Sequence, residues 1–442
     1  MASQPLIVLL NDTIIGEINQ LRSGKLSFSY AETWINDRSA IPLSLSMPLT
    51  RQKHGDDAIR PFLWGLLSDN ETTLAAWGQR FGVSPRNPFA LLAHIGEDLQ
   101  GAIQIVPPGQ LEHLRKREGA TRLSASTLAQ GFAALIRQPG STQFTEQGGQ
   151  FSLAGAQPKK ALSLVRGRWY EPRGRTPSTH ILKLQIPNMA GQVENEAFCL
   201  RLARMLDLPA PKAWIEQFGE LPVIVIQRYD RVRMEGRRTL PIDRSGGQVR
   251  RVHQEDCCQA LKIMPQTKYQ NEGGPGIANI MQLLSGSARP SDDRDRFMRA
   301  QAFNFVIGGT DAHAKNYGLL LATQGRFRLA PLYDIISILP YLNHPKESRL
   351  AMSVDGRYRL DQIQPRHWQK QARVAGYNAD QMLAHLRDII ARMPSAVETL
   401  LDEFHTASQR TEELETLAQL LIARSQSLAS IYGSEETAAK PK

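Results

Sequence analysis

The chain has 442 residues with a formal net charge of +10, 41% hydrophobic residues and 22% charged residues. This balance excludes an intrinsically disordered chain, and the length predicts two or three domains with sizeable cores. Three cysteines, two of them adjacent, exclude a disulfide framework and a zinc site, and we expect all three in the core (Cys199, Cys257, Cys258).

The N-terminal part, residues 1–110, predicts a small β-rich subdomain. Leu6–Leu10 and Ile14–Ile18 are typical of a hairpin that turns at Asn11-Asp12, and Ala102–Val106 predicts a closing strand. Pro42–Pro48 alternates apolar and small polar residues, which favours an extended segment. The first apolar run lacks the features of a signal peptide, and no uncharged apolar run approaches the roughly 18 residues that span a bilayer. We therefore expect a cytoplasmic protein without a membrane contact.

The rest of the chain divides into a strand-rich part, residues 111–252, and a helical part, residues 253–442. Strands are predicted at Phe151–Leu153, Lys160–Val165, His180–Leu184 and Leu221–Arg228, with a helix at Val193–Leu206. Helices are predicted at His253–Ile263, Ile277–Ser285, Asp292–Val306, Asp380–Met393 and Thr411–Ile431, before a disordered tail at Glu435–Lys442. This order predicts an α+β, two-lobed fold with an N-terminal β-rich subdomain and a helical C-terminal lobe.

A polar loop after residue 309 is the strongest candidate for a catalytic centre. Asp311 and Asn316 have the spacing at which protein kinases place a catalytic Asp and a metal-binding Asn. A second carboxylate, Asp334, lies between apolar residues, where a Mg²⁺ ion would compensate the cost of burial. His313 and Lys315 would add cations beside a transferred phosphoryl group. The alternatives are a loop that caps a helix and, for Asp334, an ordinary strand-end turn.

Upstream features occur in the order expected of the nucleotide-binding half of a kinase. The small-residue loop Gly148–Lys159 would bring backbone N–H groups close to phosphates. Lys183 lies in an apolar strand, and Glu196 in the next helix would supply the ion pair that kinases use to hold such a lysine. The strand that ends at Gln227–Tyr229 would offer backbone groups to an adenine edge. Taken alone, the loop is equally a hairpin turn, and Lys183 is equally an edge-strand residue that points to solvent.

Arginines crowd the segment that follows this strand. We interpret the segment as an exposed basic surface that contacts DNA phosphates, a protein partner or a tRNA-bearing substrate. The alternative is a solvated face without a partner. The arginines are Arg228, Arg231, Arg233, Arg237, Arg238, Arg244, Arg250 and Arg251.

Four motifs together resemble the HipA family of bacterial serine/threonine-kinase toxins. They are FSLAGAQPK at Phe151–Lys159, KYQNEGGPGI at Lys268–Ile277, TDAHAKN at Thr310–Asn316 and PLYDI at Pro331–Ile335. Pro42–Leu49 and Leu91–Val106 also resemble that family's N-terminal region, so the likeness covers nearly the whole chain. The sequence departs from the family pattern at Gln227, where the family has Glu, and at Pro158, where the family has an acidic residue.

The resemblance implies a protein-kinase-like fold and specific roles for the site residues. It implies that Asp311 is the catalytic base and that Asn316 and Asp334 bind Mg²⁺. It implies that Ser152 is an autophosphorylation site whose modification ejects the phosphate loop, which fits the repulsion between an added phosphate and a site for ATP. The residues implied to line the ATP site are Ala154, Gly155, Ala156, Gln157, Pro158, Lys159, Lys183, Gln227, Arg228, Tyr229, His313, Ala314, Lys315, Asn316, Tyr333 and Asp334.

The resemblance also implies a type II toxin–antitoxin module of bacterial persistence. Its implied substrate is glutamyl-tRNA synthetase, and its implied cofactors are ATP and Mg²⁺. Its implied partners are a helix-turn-helix antitoxin, HipB, and operator DNA bound through or alongside that antitoxin. The alternatives are a kinase-like, DNA-bound corepressor with little catalytic activity and a phosphotransferase for small molecules. An active kinase is favoured because a vestigial site has no reason to retain Asp311, Asn316, Asp334 and Lys183 together.

Overall fold

The computed structural model describes residues 4–138, 140, 143–146, 148–149, 152, 154–234, 248–342, 348–407, 409 and 411–433. The chain forms two compact units, each built from three chain segments. The first unit contains Met1–Gln185, Glu216–Gln266 and Gly318–Phe327, and the second contains Ile186–Ile215, Thr267–Tyr317 and Arg328–Lys442. Strands predominate in the first unit and helices in the second, which confirms the predicted α+β class. The domain boundaries at residues 110 and 252 remain predictions.

The strands are β1 (Leu6–Leu10), β2 (Thr13–Gln20), β3 (Leu26–Tyr30), β4 (Lys53–His54), β5 (Ile103–Val106), β6 (Ala120–Arg122), β7 (Lys159–Val165), β8 (Arg168–Pro172), β9 (His180–Leu184), β10 (Ala213–Phe218), β11 (Leu221–Gln227), β12 (Arg231–Met234), β13 (Gln248–Arg251), β14 (Gln254–Asp256), β15 (Gly318–Leu321), β16 (Phe327–Leu329), β17 (Arg349–Val354) and β18 (Arg357–Arg359). The helices are α1 (Glu32–Ile35), α2 (Asp56–Gly65), α3 (Glu71–Phe81), α4 (Pro88–Ile95), α5 (Leu111–Lys116), α6 (Ala125–Arg137), α7 (Gln192–Met205), α8 (Cys257–Ala260), α9 (Ile277–Leu284), α10 (Pro290–Ile307), α11 (Pro365–Val374), α12 (Ala379–Thr406) and α13 (Glu412–Tyr432).

Most of the predicted elements are present. Strands β7, β9 and β11 and helices α7, α9, α10 and α13 correspond to predicted elements, with bounds that differ by at most two residues. Helix α12 begins where it was predicted but continues to Thr406, well beyond the predicted end at Met393. The strand predicted at Phe151–Leu153 falls largely outside the described residues, and so does the predicted C-terminal tail.

The first unit begins with an antiparallel five-stranded sheet in the order β4-β3-β2-β1-β5. Asn11 and Asp12 join β1 to β2 with φ angles of 46° and 70°, the backbone of a tight hairpin turn. Helices α2 and α4 pack on this sheet around a core that includes Phe28, Phe62 and Leu92. The predicted hairpin and closing strand are therefore confirmed.

A second antiparallel sheet in the first unit has the order β10-β11-β9-β7-β8-β6, and of β10 only Glu216–Phe218 belongs to this unit. A buried ion pair crosses from β7 to β8, where Lys160 Nζ lies 2.6 Å from Glu171 Oε1. Lys160 is the neighbour of Lys159, and successive residues of a strand face opposite sides of the sheet. Because Lys160 projects from the face that carries Glu171, the Lys159 side chain projects from the opposite face of β7.

The helix predicted at His253–Ile263 is wrong. Its first part is strand β14, which pairs antiparallel with β15 through Gln254 and Leu320, and only α8 is helical. Asp256 caps α8, because its side chain accepts a hydrogen bond from the Gln259 backbone N–H at 2.9 Å. A short apolar run does not by itself distinguish a strand from a helix, and the partner strand lies far along the chain.

The segment Pro42–Pro48 forms a tight turn, so the predicted extended conformation is wrong. Ser44 and Met47 are bridged across the turn. The Tyr30 hydroxyl accepts a hydrogen bond from one backbone N–H of the turn (2.7 Å) and donates to one carbonyl (2.6 Å). Glu255 on β14 accepts hydrogen bonds from the Ser44 hydroxyl (2.5 Å) and from the next backbone N–H (2.8 Å). A buried phenol and a buried carboxyl group therefore hold the turn.

We expect Glu255 to make the stability of the protein depend on pH. Burial raises the pKa of Glu255 from 4.5 to about 8, although the hydrogen bonds from Leu45 and Ser44 oppose this rise. Between these two values the folded chain holds a proton that the unfolded chain has released, so the free energy of unfolding falls as the pH rises. Glu255→Gln mimics the protonated acid and should remove a fall on the order of 4 kcal/mol. Urea unfolding at several pH values between about 5 and 8 measures this difference.

Glu398→Gln is the matched control, because Glu398 is exposed on α12. Its unfolding free energy should follow that of the wild type across the same pH range. Parallel curves for Glu255→Gln and the wild type would contradict the prediction.

Three of the eight arginines singled out above are buried in the first unit. Arg228, Arg231 and Arg251 surround Asp98 and Asp230, and no side chain in this arginine–aspartate cluster is more than 10% exposed. Arg228 holds Asp230 with two parallel hydrogen bonds (2.9 and 2.8 Å). Arg231 and Arg251 both reach Oδ1 of Asp98, at 3.2 and 3.3 Å. Paired charges of this kind are the form in which ionised groups tolerate burial.

The prediction of an exposed basic surface is therefore wrong for the three cluster arginines. Arg233 on β12 and Arg250 on β13 are exposed. Arg237, Arg238 and Arg244 lie outside the described residues. A basic surface in this segment depends on arginines other than those of the cluster.

Helices α10 to α13 form the body of the second unit. Phe305 packs against Trp368 on α11 and Tyr432 on α13, with ring centroids 5.6 and 5.9 Å apart. Arg424 on α13 donates hydrogen bonds to two carbonyl groups at the C-terminal end of α10, where cations are favourable. Helix α10 ends at Gly308, whose φ of 70° is the left-handed conformation that suits glycine. This anchored helix end leads into the candidate catalytic loop.

The cysteines are buried, as predicted. In the part of the chain that the structure describes, no helix combines the length and hydropathy needed to cross a bilayer.

Candidate functional site

The candidate phosphate loop, Ala154–Lys159, lies in the first unit and leads into β7. Two donors from the turn between α2 and α3 hold its carbonyl groups. The Ser68 hydroxyl donates to the Gly155 carbonyl (3.1 Å), and the Asn70 amide donates to the Ala156 carbonyl (3.2 Å). Carbonyl oxygens that are occupied by donors repel a phosphate less, so this arrangement favours an anion at the loop.

The second half of the loop is tied to the end of β9. The Gln157 amide donates to the Leu184 carbonyl (2.6 Å), and the Leu184 N–H donates to the Pro158 carbonyl (3.1 Å). Proline has no N–H to donate at this position, so Pro158 contributes only its carbonyl group. The loop is thus fixed at both ends within the first unit.

Lys159 and Lys183 are directly opposite each other on β7 and β9. Opposite residues of an antiparallel pair project from the same face of the sheet, so the two cationic side chains start side by side. Lys183 is only 5% exposed, and β9 lies between β7 and β11. The alternative of an edge-strand lysine that points to solvent is therefore wrong. Two neighbouring lysines on one face favour an anionic ligand such as a phosphate chain.

The strand end at Gln227–Tyr229 offers fewer free groups than its sequence suggested. Gln227 is exposed at the end of β11. The Arg228 N–H donates to the Thr179 carbonyl (3.0 Å), and its guanidinium belongs to the arginine–aspartate cluster. The Tyr229 hydroxyl donates to the side-chain carbonyl of Gln254. The backbone carbonyl of Arg228 is therefore the group through which Arg228 would contact a nucleotide.

Ser152 is buried in the first unit, with 1% of its surface exposed. Its hydroxyl donates a hydrogen bond to the Leu66 carbonyl (2.8 Å), and its N–H donates to the Asp98 carbonyl (3.3 Å). The neighbouring residues Phe151 and Leu153 lie outside the described residues. In this arrangement the hydroxyl is not accessible to a phosphoryl donor.

The candidate catalytic loop lies in the second unit, directly after α10. The Asp311 carbonyl accepts hydrogen bonds from the His313 N–H (2.9 Å) and from the Asn316 side-chain amide (2.8 Å), which closes the loop. Because the amide nitrogen of Asn316 faces the loop, its oxygen is the atom available to a metal ion. His313, Ala314, Lys315 and Asn316 are all buried.

The Asp311 carboxylate differs from its neighbours in being 64% exposed. It accepts a hydrogen bond from the Tyr269 hydroxyl (2.6 Å), and His313 Nε2 lies 3.8 Å from the same oxygen, Oδ1. The short helical turn at Ala314–Asn316 has no side-chain cap. The alternative of a helix-capping Asp311 is therefore wrong.

Asp334 is attached to the catalytic loop by its neighbour. The Tyr333 hydroxyl donates to the Lys315 carbonyl (2.7 Å), and both residues belong to the second unit. Asp334 itself has a φ of 52°, a conformation that few residues other than glycine adopt. Backbone strain of this kind is frequent at functional sites. It also occurs in turns, so the backbone alone leaves the turn alternative open.

Glu196 is fully buried on α7 in the second unit. Its neighbour Asn195 donates to the Ser337 carbonyl (2.9 Å) and accepts from the Ser337 N–H (3.0 Å). The Ser337 hydroxyl then donates to the Ile307 carbonyl (2.6 Å) at the end of α10. These bonds fix α7 relative to the segment after Asp334. The predicted ion pair between Glu196 and Lys183 joins residues of different units and stays a prediction.

Sequence profiles of two domains match this chain. The profile of the HipA N-terminal domain matches residues 6–106, and the profile of the HipA-like C-terminal domain matches residues 151–397. The chain belongs to the HipA family. The C-terminal match includes every residue predicted to bind ATP or Mg²⁺, together with Ser152 and Glu196.

Individual HipA-family relatives cover most of the chain. The putative kinase Y4mE of Sinorhizobium fredii is 35% identical over 408 residues, which are 91% of this chain and 93% of that protein. The serine/threonine-protein kinase toxin HipA of Shewanella oneidensis is 27% identical over 89% of this chain and 88% of that protein. The structure is similar to that of Shewanella oneidensis HipA in a complex with HipB and operator DNA, with a TM-score of 0.80, 25% identity and coverage of 97% and 100% of the two chains. The predicted family and fold are therefore confirmed.

One residue of the site was missed from the sequence. Tyr269 contacts the carboxylate of Asp311 and lies in the HipA-family motif Lys268–Ile277, to which no chemical role was assigned. The run Gly273-Gly274-Pro275-Gly276 was a usable signal, because glycine and proline in this density indicate a fixed turn next to Tyr269.

Proposed function

We propose that this HipA-family protein is an ATP- and Mg²⁺-dependent serine/threonine-protein kinase that acts as the cytoplasmic toxin of a type II toxin–antitoxin module. The observation that carries the proposal is the geometry of the catalytic loop. An exposed carboxylate, Asp311, stands on a loop that is closed by the Asn316 amide, whose oxygen is left for a metal ion. Phosphoryl transfer requires little more of a protein than this, together with cations at the phosphates.

In the proposed reaction Asp311 accepts the proton of a serine or threonine hydroxyl as that hydroxyl attacks the γ-phosphate of ATP, the bond between the γ-phosphorus and the bridging oxygen breaks, and ADP leaves. His313 and Lys315 stabilise the charge of the transferred group. Asn316 and Asp334 fit a Mg²⁺ ion, since amide and carboxylate oxygens are the ligands that this ion prefers. When bound, the ion neutralises charge on the phosphate oxygens.

The proposed nucleotide-binding residues are those that the resemblance to the HipA family implies. Ala154–Lys159 and Lys183 bind the phosphates, and Glu196 orients Lys183 by an ion pair. Gln227, Arg228 and Tyr229 contact the adenine through the strand end, and Ala314 and Tyr333 complete the site. The opposed lysines of β7 and β9 support this assignment, because they concentrate positive charge at the end of the phosphate loop.

Ser152 is the proposed site of autophosphorylation. Its hydroxyl must first break the hydrogen bond to Leu66 and leave its buried position. A phosphate carries about −1.5 to −2 charges, so the modified residue could not return to a pocket that lacks room and solvent for it. The phosphate loop would then stay displaced, and the kinase would be inactive.

Incubation of the purified protein with labelled ATP and Mg²⁺ tests the proposal. We expect label on Ser152, identified by mass spectrometry, and no label in Ser152→Ala. Ser163→Ala is the matched control, because Ser163 is also a fully buried serine with a hydrogen-bonded hydroxyl (to the Pro177 carbonyl, 3.0 Å). Protein that is already phosphorylated on isolation is identified by its mass and dephosphorylated first. A dephosphorylated wild type that labels neither itself nor added glutamyl-tRNA synthetase would contradict the kinase.

The relative of known structure supports two of the proposed partners, the antitoxin and the operator DNA. Shewanella oneidensis HipA was solved with HipB and operator DNA, and this chain covers the whole of that HipA chain. We propose a HipB-like helix-turn-helix antitoxin, operator DNA bound with it, and glutamyl-tRNA synthetase as the substrate. The same complex favours the second candidate function, a DNA-bound corepressor with little catalysis, and the labelling experiment distinguishes the two.

A further inference from the structure

The motif Lys268–Ile277 forms a rigid turn in the second unit. The Tyr269 carbonyl accepts hydrogen bonds from the Glu272 N–H (3.0 Å) and the Gly274 N–H (2.9 Å). A Cβ atom on Gly274 would lie 2.3 Å from the Thr267 carbonyl oxygen, so only glycine fits there. Gly273 has a φ of 96°, which other residues rarely adopt. The backbone of Tyr269 is therefore fixed by its own turn.

The turn is also anchored through Gln270, the neighbour of Tyr269. Gln270 Oε1 accepts hydrogen bonds from the Ser353 N–H (2.8 Å) and the Ser353 hydroxyl (3.2 Å) on β17. The Gln270 side chain also fills the space beside Gly276, where a Cβ atom would lie 2.6 Å from it. A strand and a close-packed glycine thus hold Gln270 and, through it, the neighbouring Tyr269.

The side chain of Tyr269 is directed at the catalytic loop. Its hydroxyl donates to Oδ1 of Asp311 at 2.6 Å, a short and charge-assisted hydrogen bond. Its ring packs edge-on against His313, with the centroids 5.0 Å apart and the planes at 81°. The Asp311 carboxylate is otherwise mostly exposed, and an exposed side chain samples several rotamers unless a partner holds it.

We propose that Tyr269 is a positioning residue that holds the Asp311 carboxylate in the orientation needed for phosphoryl transfer. The inference rests on the proposed kinase function. With Oδ1 held by Tyr269, Oδ2 is the oxygen left to accept the proton of the substrate hydroxyl. A base held on a rigid support reacts faster than one that must first find its orientation. In this proposal the turn Lys268–Ile277 holds Tyr269, and Tyr269 holds the catalytic base.

The test compares steady-state kinetics of the wild type, Tyr269→Phe and Tyr358→Phe. Phenylalanine keeps the ring that packs on His313 and removes only the hydroxyl. We expect kcat of Tyr269→Phe to fall roughly 10- to 100-fold, as misplaced catalytic groups do, with an unchanged KM for ATP and a small fall in melting temperature that leaves the variant folded in the assay. Tyr358 on β18 belongs to the same unit and is the matched control, whose loss of a hydroxyl should leave kcat unchanged.

Two results would overturn the inference while the kinase function stands. One is a Tyr269→Phe variant with the kcat of the wild type. The other is phosphate on Tyr269 in the active wild-type protein, since the hydroxyl would then be an acceptor and not a support.

A test without turnover separates the inference from the proposed function. Melting temperatures are measured for Tyr269→Phe, Asp311→Ala and the double variant. The two single shifts should not add, because each variant removes the same hydrogen bond. Additive shifts would show that the bond is absent and would overturn the inference even in a protein that proves to have no kinase activity.

Discussion

Asp311→Asn is expected to lower the rate of phosphoryl transfer by roughly 10²- to 10⁴-fold, the usual loss when a general base is removed. Asparagine has the shape of aspartate, and its carbonyl oxygen still accepts the hydrogen bond from Tyr269. The variant therefore keeps the loop geometry but has no group to accept the proton of the substrate hydroxyl. The rate of phosphoryl transfer is measured as the initial rate with labelled ATP. The affinity for ATP is measured on the same preparation.

The affinity for ATP should remain close to that of the wild type, because the main chain of the loop closes on Asn316 and not on the Asp311 side chain. Asp402→Asn, in an exposed position on α12, is the matched control and should be fully active. A rate for Asp311→Asn equal to that of the control would contradict the prediction and place the catalytic base elsewhere.

Asp98→Asn is expected to cause the largest loss of stability, about 3 to 5 kcal/mol, the range for removing one partner of a buried ion pair. The change leaves Arg228, Arg231 and Arg251 buried with Asp230 as the remaining carboxylate of the cluster. Urea unfolding of the purified variant measures the free energy of unfolding.

The same cluster should make the protein sensitive to acid. Burial alone would raise the pKa of Asp98, but Arg231, Arg251 and Arg228 outweigh burial and hold it below its ordinary value. Burial would also raise the pKa of Asp230, but Arg228 and Arg231 outweigh burial and lower this pKa. The stabilisation is therefore present above an unfolded pKa of about 4 and is lost as the pH falls below it. In Asp98→Asn this loss in acid should be smaller.

Asp57→Asn serves as the control for this prediction. Asp57 forms a surface ion pair with Lys262 at 2.8 Å, with side chains that are 71% and 45% exposed. Exposed pairs contribute about 1 kcal/mol or less, so this variant should unfold nearly like the wild type. Equal losses for Asp98→Asn and Asp57→Asn would mean that solvent or a relaxed structure compensates the buried arginines.

Local patterns predicted the elements that are formed by local interactions. The turn at Asn11-Asp12 and the long helices α10 and α13 are specified by neighbours within a few residues. The errors at His253–Ile263 and Pro42–Pro48 have one cause. Strand β14 forms by pairing with β15. The turn at Pro42–Pro48 is held by hydrogen bonds with Tyr30 and with Glu255 of β14. In both segments, residues far along the chain determine the conformation.

In the candidate site, too, features set by neighbouring residues were predicted and features set by distant residues were not. The spacing of Asp311 and Asn316 was visible in the sequence because one short loop carries both residues. The burial of Arg228, Arg231 and Arg251 was not visible, because Asp98 lies more than a hundred residues upstream. Tyr269 was missed for a similar reason, since the whole of α9 and α10 lies between Tyr269 and Asp311 along the chain. A single sequence can show the fixed turn beside Tyr269, but it does not show which distant residue Tyr269 contacts.

The interleaved path of the chain has a consequence for the order in which the protein can be assembled during synthesis. The last segment of the first unit, Gly318–Phe327, follows Asp311 and Asn316 along the chain, and the second unit is completed only by α13. A nascent chain therefore cannot complete either unit until residue 327 has been synthesised, so the two units cannot fold one after the other on the ribosome. For the same reason, a fragment cut at residue 252 would lack both β14 and β15, so we expect it not to fold when it is expressed alone.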